Sequence, residues 1–307
     1  MSIAPEFIVR GVFYCRTLKN DCIVGRNTMG AKMVVVMDGI GLRNRILNEL
    51  RMRVEKLSVR PRLVAILVGD DVASQVYVKN KEKYAATAGI DATVVRMPAS
   101  ITTDMVIEKI HELNADKSVT AILVQLPLPV RIDTHAVLNA VDVNKDVDGF
   151  TDANIGRMYG AGNGFIIPCT PRGILALLDE YKIDVSGKNV VVIGRSNIVG
   201  KPMAQLLMMR NATVTICHSK TPNIAEFTRA ADIVVSATGK MTITGDMLKP
   251  GCVFIDVGMQ RDENGKLRGD GDFASVSAVA GYITPTPGGT GPMTIAGLMM
   301  NTVDLFA

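Results

Sequence analysis

The chain has 307 residues, of which 48% are hydrophobic and 21% charged, and its formal net charge is +4 at pH 7. This length and composition predict a soluble α/β enzyme of two domains, and the apolar runs are too short to cross a bilayer, so we expect no membrane partner. The five cysteines form no CxxC pair, which favours a reducing compartment and argues against a metal site.

Most of the excess positive charge lies in residues 1–33, where five basic residues face two acidic ones and contribute +3. The remainder is nearly neutral, so no nucleic-acid partner is expected. The basic, acid-poor leader is typical of an organellar transit peptide but lacks a clear amphipathic period, and Met29 or Met33 is an alternative start. We therefore place residues 1–33 outside the fold. The expected location is cytoplasmic, or mitochondrial if the leader is a transit peptide.

From Val34 onward, apolar runs of strand length alternate with segments of helical periodicity, as in parallel sheets with crossover helices. Thr103 is the expected N-cap of one helix, because Val106, Ile110 and Leu113 fall on one face. In this first block we predict strands over 63–68, 92–96 and 120–125, and helices over 40–57, 74–88 and 103–114.

Polar residues in the first block suggest a site. Tyr77 and Lys81 lie four residues apart on a predicted helix and so share a face. Gln125 ends a predicted strand before two prolines, at the edge where α/β sheets bind ligands. The alternatives are that Tyr77 packs against the core and that Lys81 only solubilises the surface. Asp148 belongs to a segment with two carboxylates before Gly149, which is either part of the site or an ordinary Asp-Gly turn.

The second block opens with a glycine-rich turn, Gly194-Arg195-Ser196-Asn197-Ile198-Val199-Gly200, directly after a strand predicted over 189–193. A helix predicted to begin near Val199 aims free backbone N–H groups at an anion, as in dinucleotide-binding units. A turn with glycines needed only for packing is the alternative. Further strands are predicted over 213–217, 233–236 and 253–257, and 147–171 is the predicted junction between the domains.

The strand over 213–217 is followed by His218, Ser219, Lys220 and Thr221, where an NAD-binding unit is expected to carry an acidic residue. Guanidinium and hydroxyl donors suit phosphate oxygens, and Arg195 lies inside the first turn. The predicted cofactor is therefore NADP. The alternatives are a solvated surface arginine at 195 and a histidine at 218 that only satisfies the backbone.

Together these motifs identify a family. After about Val34 the chain resembles the bifunctional methylenetetrahydrofolate dehydrogenase/methenyltetrahydrofolate cyclohydrolase enzymes. The motifs that carry the resemblance are Val68-Gly69-Asp70-Asp71, Ser74 with Tyr77 and Lys81, Gln125-Leu126-Pro127-Leu128-Pro129, Lys145-Asp146-Val147-Asp148-Gly149, Pro168-Cys169-Thr170-Pro171-Arg172-Gly173, the Gly194 turn, Cys217-His218-Ser219-Lys220-Thr221 and Pro285-Thr286-Pro287-Gly288-Gly289-Thr290-Gly291-Pro292-Met293-Thr294.

The resemblance implies two α/β domains with a cleft between them: a folate-binding catalytic domain over 34–150 plus 285–307, and a Rossmann-like NADP-binding domain over 151–284. The last helix returns to the first domain; Thr294 is its expected N-cap, and its apolar stripe includes Leu298 and Met299. The implied activity is NADP-dependent oxidation of methylenetetrahydrofolate and hydrolysis of the product to 10-formyltetrahydrofolate, for purine and initiator formyl-methionyl synthesis. A homodimer and polyglutamylated folate substrates are also implied.

The resemblance also assigns site residues. Tyr77 stacks on the folate ring system, Lys81 is the catalytic lysine, Gln125 orients it, and Asp148 hydrogen-bonds the pterin. Further implied folate contacts are Leu126, Pro127, Pro287, Gly288 and Gly289. The implied cofactor contacts are Gly194, Arg195, Ser196, Val199, Gly200, His218, Ser219 and Thr294.

Four positions depart from the family pattern: Ile40, Val72, Thr286 and Thr290 stand where lysine, proline, valine and valine are usual. The two threonines lie in the loop expected to approach the nicotinamide, so cofactor affinity or the ratio of activities is expected to differ. Three alternatives stay open: a dehydrogenase without cyclohydrolase activity, another NADP oxidoreductase of the same fold, and a non-catalytic protein that senses the cofactor.

Overall fold

The computed structural model describes residues 8–9, 12–13, 34–160, 164–240 and 243–306. Most of the leader predicted to lie outside the fold is thus not among the described residues. The strands are β1 (Ile8–Val9), β2 (Val12–Phe13), β3 (Val35–Val36), β4 (Arg62–Val68), β5 (Asp91–Met97), β6 (Ala121–Val124), β7 (Asn189–Ile193), β8 (Thr213–Cys217), β9 (Ile233–Ser236), β10 (Val253–Asp256), β11 (Gln260–Arg261), β12 (Leu267–Arg268) and β13 (Tyr282–Ile283).

The helices are α1 (Gly39–Val54), α2 (Val72–Thr87), α3 (Thr103–Ala115), α4 (Thr134–Asn139), α5 (Asp152–Tyr159), α6 (Cys169–Glu180), α7 (Gly200–Met209), α8 (Ile224–Thr228), α9 (Phe273–Ser277) and α10 (Thr290–Phe306), with a 3-10 helix over Gly245–Met247. The predicted strands and helices are all present, and their ends differ by at most three residues. Within the described residues, no helix combines the length and the apolar character needed to span a membrane.

The chain divides into two compact units. The three-stranded unit contains Arg43–Gly173 and the described residues from Thr294 onward. The six-stranded unit contains Ile174–Met293 and the described residues up to Leu42. Both carry parallel sheets, so the predicted α/β fold with two domains is confirmed.

In the three-stranded unit, β4 lies between β5 and β6 and is parallel to both. Its sequence is a continuous apolar run, which suits a parallel strand covered on both faces. One face packs on α10 through Leu298, Met299 and Val303. The predicted return of the last helix to the first domain is therefore confirmed.

The six-stranded unit has the strand order β3-β13-β10-β9-β7-β8, with parallel pairing. The order reverses at β7, which pairs with β8 on one side and β9 on the other. Such a reversal creates the ligand-binding crevice of Rossmann-like sheets at the carboxyl ends of the strands.

Three assignments in the predicted domain division differ from these units. The described residues of 151–173, predicted for the second domain, lie in the three-stranded unit, and residues 285–293, predicted for the first, lie in the six-stranded unit. The prediction placed residues 34–42 in the first domain, whereas β3 is an edge strand of the six-stranded sheet. The reason is backbone pairing with β13: Val35 donates to the carbonyl of Gly281 at 2.9 Å, and Met37 donates to that of Ile283 at 2.8 Å. A two-residue strand has too little sequence pattern to reveal its partner.

The two predicted N-caps are wrong. Thr102, not Thr103, caps α3 by accepting a hydrogen bond from the amide of Met105 at 3.4 Å, because Thr102 has the extended backbone that an N-cap requires. The hydroxyl of Thr103 instead accepts from the amide of Asp133. Helix α10 begins at Thr290, so Thr294 lies inside it, where its hydroxyl is bonded to that of Thr170.

Candidate active site and cofactor site

Lys81 and Gln125 are in direct contact in the three-stranded unit. Helix α2 follows β4 and carries Lys81, while Gln125 comes directly after the neighbouring strand β6, so the sheet brings both to its carboxyl edge. Lys81 Nζ donates to Gln125 Oε1 at 2.9 Å, and Gln125 Nε2 donates to the carbonyl of Leu126 at 2.6 Å. The second bond fixes the amide with its oxygen toward the lysine. Because Gln125 is only 8% exposed, this orientation is held by the protein.

The surroundings of Lys81 favour its neutral form. Burial lowers the pKa of the ammonium, and the charges of Asp148 and, more weakly, Cys169 oppose that shift. An amine with a lowered pKa exchanges protons near neutral pH, which a solvated lysine does poorly. The predicted alternative, a lysine that only solubilises the surface, does not fit a half-buried amine bonded to a buried amide.

The carboxyl group of Asp148 is a weaker acid than that of an ordinary aspartate. Burial raises its pKa to about 6, while the charge of Lys81 and a hydrogen bond from Cys169 act in the opposite direction and Asp146 adds to the increase. The thiol of Cys169 donates to Asp148 Oδ1 at 3.2 Å, with the carbonyl of Val147 at 3.5 Å. Burial, and after it the Asp148 carboxylate, hold the pKa of the Cys169 thiol well above its usual value. The thiol therefore keeps its proton and remains a hydrogen-bond donor.

Asp146, the other carboxylate of this segment, builds the turn. It is buried and accepts hydrogen bonds from the amides of Gly149, Phe150 and Thr151 at 2.8 to 3.2 Å. Gly149 has a φ of +70°, which favours glycine. The alternative of an Asp-Gly turn thus describes Asp146, whereas Asp148 interacts with Lys81 and Cys169.

The contact between Cys169 and Asp148 was not predicted. Cys169 belongs to one of the motifs that carry the family resemblance, but a buried thiol in an apolar helix is indistinguishable in sequence from a small core residue. Only the tertiary contact with the 146–149 turn reveals it.

The other predicted folate contacts fall into two groups. Tyr77 lies one helical turn before Lys81 and is 41% exposed, so it is not a core residue; Pro127 is exposed and Leu126 half-buried. Pro287, Gly288 and Gly289 belong to the six-stranded unit. There the amide of Gly289 bonds to the carbonyl of Pro285 at 2.8 Å, Gly288 has a φ of +115° and Pro287 is exposed.

The raised pKa of Asp148 predicts a pH-dependent stability. Between about pH 4 and 6 the folded protein binds a proton that the unfolded chain releases, so the free energy of unfolding falls as pH rises through this window. The Asp148→Asn variant lacks this dependence. The wild type should lose up to about 3 kcal/mol relative to the variant between pH 4 and pH 7.5. Urea unfolding followed by circular dichroism measures this; parallel pH profiles would contradict it.

The glycine-rich turn after β7 is built for close backbone approach. A Cβ at Gly194 (φ +123°) would lie 2.6 Å from the carbonyl oxygen of Ala237, and one at Gly200 would lie 2.2 Å from the carbonyl oxygen of Gly194. Ser196 Oγ accepts from the amides of Val199 and Gly200 at 3.2 and 3.4 Å. The glycines are therefore required by packing, and the turn also places the start of α7 at the carboxyl end of β7, the position at which dinucleotide-binding units bind phosphates.

Donors lie at the carboxyl ends of β7 and β8. Ile193 at the end of β7 pairs with Cys217 at the end of β8. Arg195 and Ser219 each lie two residues further along the chain from these partners, and both are exposed. His218 Nδ1 lies 3.2 Å from the amide of Lys220, which donates to it. A guanidinium and a hydroxyl at this edge, with no carboxylate among residues 217–221, fit the 2′-phosphate of NADP.

Comparisons with known proteins agree with this arrangement. The family models "Tetrahydrofolate dehydrogenase/cyclohydrolase, catalytic domain" and "Tetrahydrofolate dehydrogenase/cyclohydrolase, NAD(P)-binding domain" match residues 37–148 and 168–307. The bifunctional protein FolD of Streptococcus pneumoniae is 52% identical over 275 residues, which cover 88% of this chain and 96% of that protein. The FolD of Paraburkholderia xenovorans is 51% identical over 280 residues, 90% of this chain and 96% of that protein.

Solved structures agree as well. The crystal structure of the bifunctional enzyme FolD (methylenetetrahydrofolate dehydrogenase/cyclohydrolase) from Campylobacter jejuni is 44% identical, with a TM-score of 0.88 over 89% of this chain and 98% of that one. The Trypanosoma brucei enzyme, complexed with NADP and an inhibitor, is 38% identical, with a TM-score of 0.84 over 89% and 97%. With the two family models together matching most of its length, this chain belongs to the tetrahydrofolate dehydrogenase/cyclohydrolase family.

Proposed function

We propose that this protein oxidises methylenetetrahydrofolate with NADP and hydrolyses the methenyl product to 10-formyltetrahydrofolate, and that Lys81, Gln125 and Asp148 carry both steps. The observation that supports this most strongly is the 2.9 Å bond from Lys81 Nζ to Gln125 Oε1 beside the carboxyl group of Asp148. A different NADP oxidoreductase of the same fold has no need for these three groups together.

The first step needs orientation more than acid or base catalysis. The methylene carbon lies between two folate nitrogens, whose lone pairs stabilise the cation left when a hydride departs. NADP supplies the hydride acceptor. The protein contributes position, with Tyr77 as a stacking surface for the folate ring and the Asp148 carboxylate as an acceptor for pterin N–H groups. Leu126 and Pro127 are proposed to shape the remainder of the folate site in the three-stranded unit.

The second step requires proton transfer. Water attacks the methenyl carbon and loses one proton. As the bond from that carbon to one ring nitrogen breaks, the nitrogen gains a proton, and the new hydroxyl group loses its own proton to solvent to give the formyl group on the other nitrogen. Burial lowers the pKa of Lys81, so its amine loses its proton more readily than a solvated lysine; in the neutral form it accepts the proton from water and returns it to the departing nitrogen. Gln125 holds Nζ through its oxygen during this exchange.

NADP is held by the six-stranded unit in this proposal. The backbone of the turn containing Gly194, Ser196, Val199 and Gly200 receives the diphosphate at the start of α7, and Arg195 with Ser219 binds the 2′-phosphate. His218 stabilises the loop that carries Ser219 through its own backbone contacts. Thr294, whose hydroxyl is bonded to Thr170 in the three-stranded unit, supports the folate side of the fold instead.

We further propose a cytoplasmic homodimer that accepts polyglutamylated folates. Strand β8 lies at the end of the six-stranded sheet order and exposes the apolar side chain of Ile216. This supports self-association through that edge. Sedimentation equilibrium tests the oligomeric state.

The function is tested by mixing the purified protein with methylenetetrahydrofolate and either NADP or NAD, and following the reduced cofactor and the methenyl intermediate separately. We expect faster reduction of NADP than of NAD, with little methenyl accumulation. Methenyl that accumulates and decays at its uncatalysed rate would indicate a dehydrogenase only and would remove Lys81 from its proposed role. No reduction of either cofactor would reject the proposal.

A further inference from the structure

One face of α10 lies against the segment that leads into α6. Thr294, Gly297 and Asn301 share this face because they are spaced by three and four residues. The Thr294 hydroxyl lies 2.9 Å from that of Thr170. A Cβ at Gly297 would come within 2.2 Å of the carbonyl oxygen of Cys169, so the helix touches the backbone of this segment directly.

Asn301 joins that segment to the turn containing Asp148. Its side chain is completely buried. Asn301 Nδ2 donates to the carbonyl oxygens of Val147 at 2.7 Å and Ile167 at 2.9 Å, and lies 3.6 Å from Cys169 Sγ. Val147 directly precedes Asp148. One amide group therefore fixes the backbone on both sides of the contact between Asp148 and Cys169.

Arg172 fixes the orientation of this amide. Arg172 lies on α6 and both of its partners lie on α10. Its guanidinium donates to Asn301 Oδ1 and forms an ion pair with Asp304. Because Oδ1 is held by the guanidinium, Nδ2 must face the two carbonyls. Asn301 thus has a partner at each end of its side chain, which is the condition for a rigid buried polar group.

We propose that Asn301 is a positioning residue, which sets the Asp148 carboxylate for folate binding by holding Val147 and Cys169. The inference rests on the role given to Asp148 in the proposed function. The path is short: the amide bonds the carbonyl of the residue before Asp148, and it also contacts the thiol that donates to Asp148 Oδ1. A displacement of either partner moves the carboxylate, since preorganised groups depend on the residues that support them.

The test compares Asn301→Ala with Thr302→Val. Thr302 is the matched control, because it is equally buried on α10 but its hydroxyl bonds only within the helix, to the carbonyl of Leu298 at 2.8 Å. We expect Asn301→Ala to raise the Kd for tetrahydrofolate about tenfold, equivalent to about 1.4 kcal/mol, with the Kd for NADP within about twofold. Thr302→Val should leave the Kd for tetrahydrofolate and the Kd for NADP unchanged, even though the loss of its hydroxyl bond lowers the midpoint of unfolding. Equal losses in the two variants would overturn the proposal.

A double-mutant cycle with Asp148→Asn separates positioning from general destabilisation. In the Asp148→Asn background, Asn301→Ala should raise the Kd for tetrahydrofolate by less than about twofold, because the group it positions is already altered. If the two substitutions weaken tetrahydrofolate binding independently, so that their fold-changes in Kd multiply, the positioning role of Asn301 is overturned while Asp148 keeps its place in the site. An unchanged Kd in Asp148→Asn alone refutes the proposed role of Asp148 itself, and with it the path from Asn301.

If Asn301→Ala does not fold, Arg172→Lys serves instead. Lysine retains the positive charge but lacks the planar guanidinium group that donates to Asn301 and Asp304 at the same time. We expect a smaller loss in tetrahydrofolate binding than in Asn301→Ala, about threefold, with NADP binding retained. A folded Arg172→Lys variant with wild-type tetrahydrofolate affinity would count against the proposal.

Discussion

Replacing Lys81 by methionine is expected to abolish the cyclohydrolase activity, with a fall in kcat of about 10³-fold or more, while part of the hydride transfer remains. Methionine keeps the length and apolar stem of the side chain but cannot exchange a proton. Hydrolysis needs that exchange, whereas hydride transfer depends mainly on how folate and NADP are placed. The two activities should therefore separate in a single variant.

The measurement follows hydrolysis of methenyltetrahydrofolate and reduction of NADP independently in Lys81→Met. Lys79→Met is the control, because Lys79 lies on the same helix α2 but is exposed. Full cyclohydrolase activity in Lys81→Met would refute the assignment. Equal loss of both activities would mean that Lys81 acts by binding folate rather than by moving protons.

The pH dependence gives a second view of the same residue. Burial lowers the pKa of Lys81, so the neutral amine forms at a lower pH than in a solvated lysine. The rate of methenyltetrahydrofolate hydrolysis by the wild type should therefore rise with pH as the amine loses its proton. This rise is absent in Lys81→Met, whose side chain does not titrate.

Replacing Arg195 by alanine is expected to weaken NADP binding by about 10- to 100-fold and NAD binding by less than about threefold. The reason is that NAD lacks the 2′-phosphate. The guanidinium lies at the carboxyl end of β7, level with Ser219 at the end of β8, and both are exposed to a ligand at that edge. A charge-assisted contact to phosphate is worth more than a contact to a ribose hydroxyl.

Isothermal titration with each cofactor measures both constants. Arg229→Ala is the control, because Arg229 is another exposed arginine of the six-stranded unit and its guanidinium already bonds the carbonyl of Asp246. Equal weakening of NADP and NAD in Arg195→Ala would count against the phosphate role. Such a result would favour the alternative that Arg195 supports the turn as a whole.

The elements of this fold were predictable where the local pattern is strong. Strand β7 is a continuous apolar run and ends in a turn whose glycines are required by close backbone contacts, so both appear in the sequence. The cap of α3 was misplaced by one residue because Thr102 and Thr103 have equivalent side chains. Backbone conformation alone decides between them.

The start of α10 was misplaced for a related reason. Thr294 is a good capping residue, but the helix begins four residues earlier, where Thr290 donates to the carbonyl of Asp256 at 2.8 Å. Pro292 then falls in the first turn, where its missing N–H is not needed. This bond joins residues 34 positions apart, so no local pattern contains it.

The sequence by itself placed Lys81 on a helix and Gln125 at a strand end, and the family resemblance assigned both, with Asp148, to one site. Only the tertiary structure decided what sets Asp148 apart from Asp146, and what supports it. Asp146 and Asp148 differ in their distant partners, and Cys169 and Asn301 reach Asp148 from helices far away in the chain. Such contacts depend on how buried elements pack, and packing sets the burial that shifts the pKa of Lys81 and Asp148.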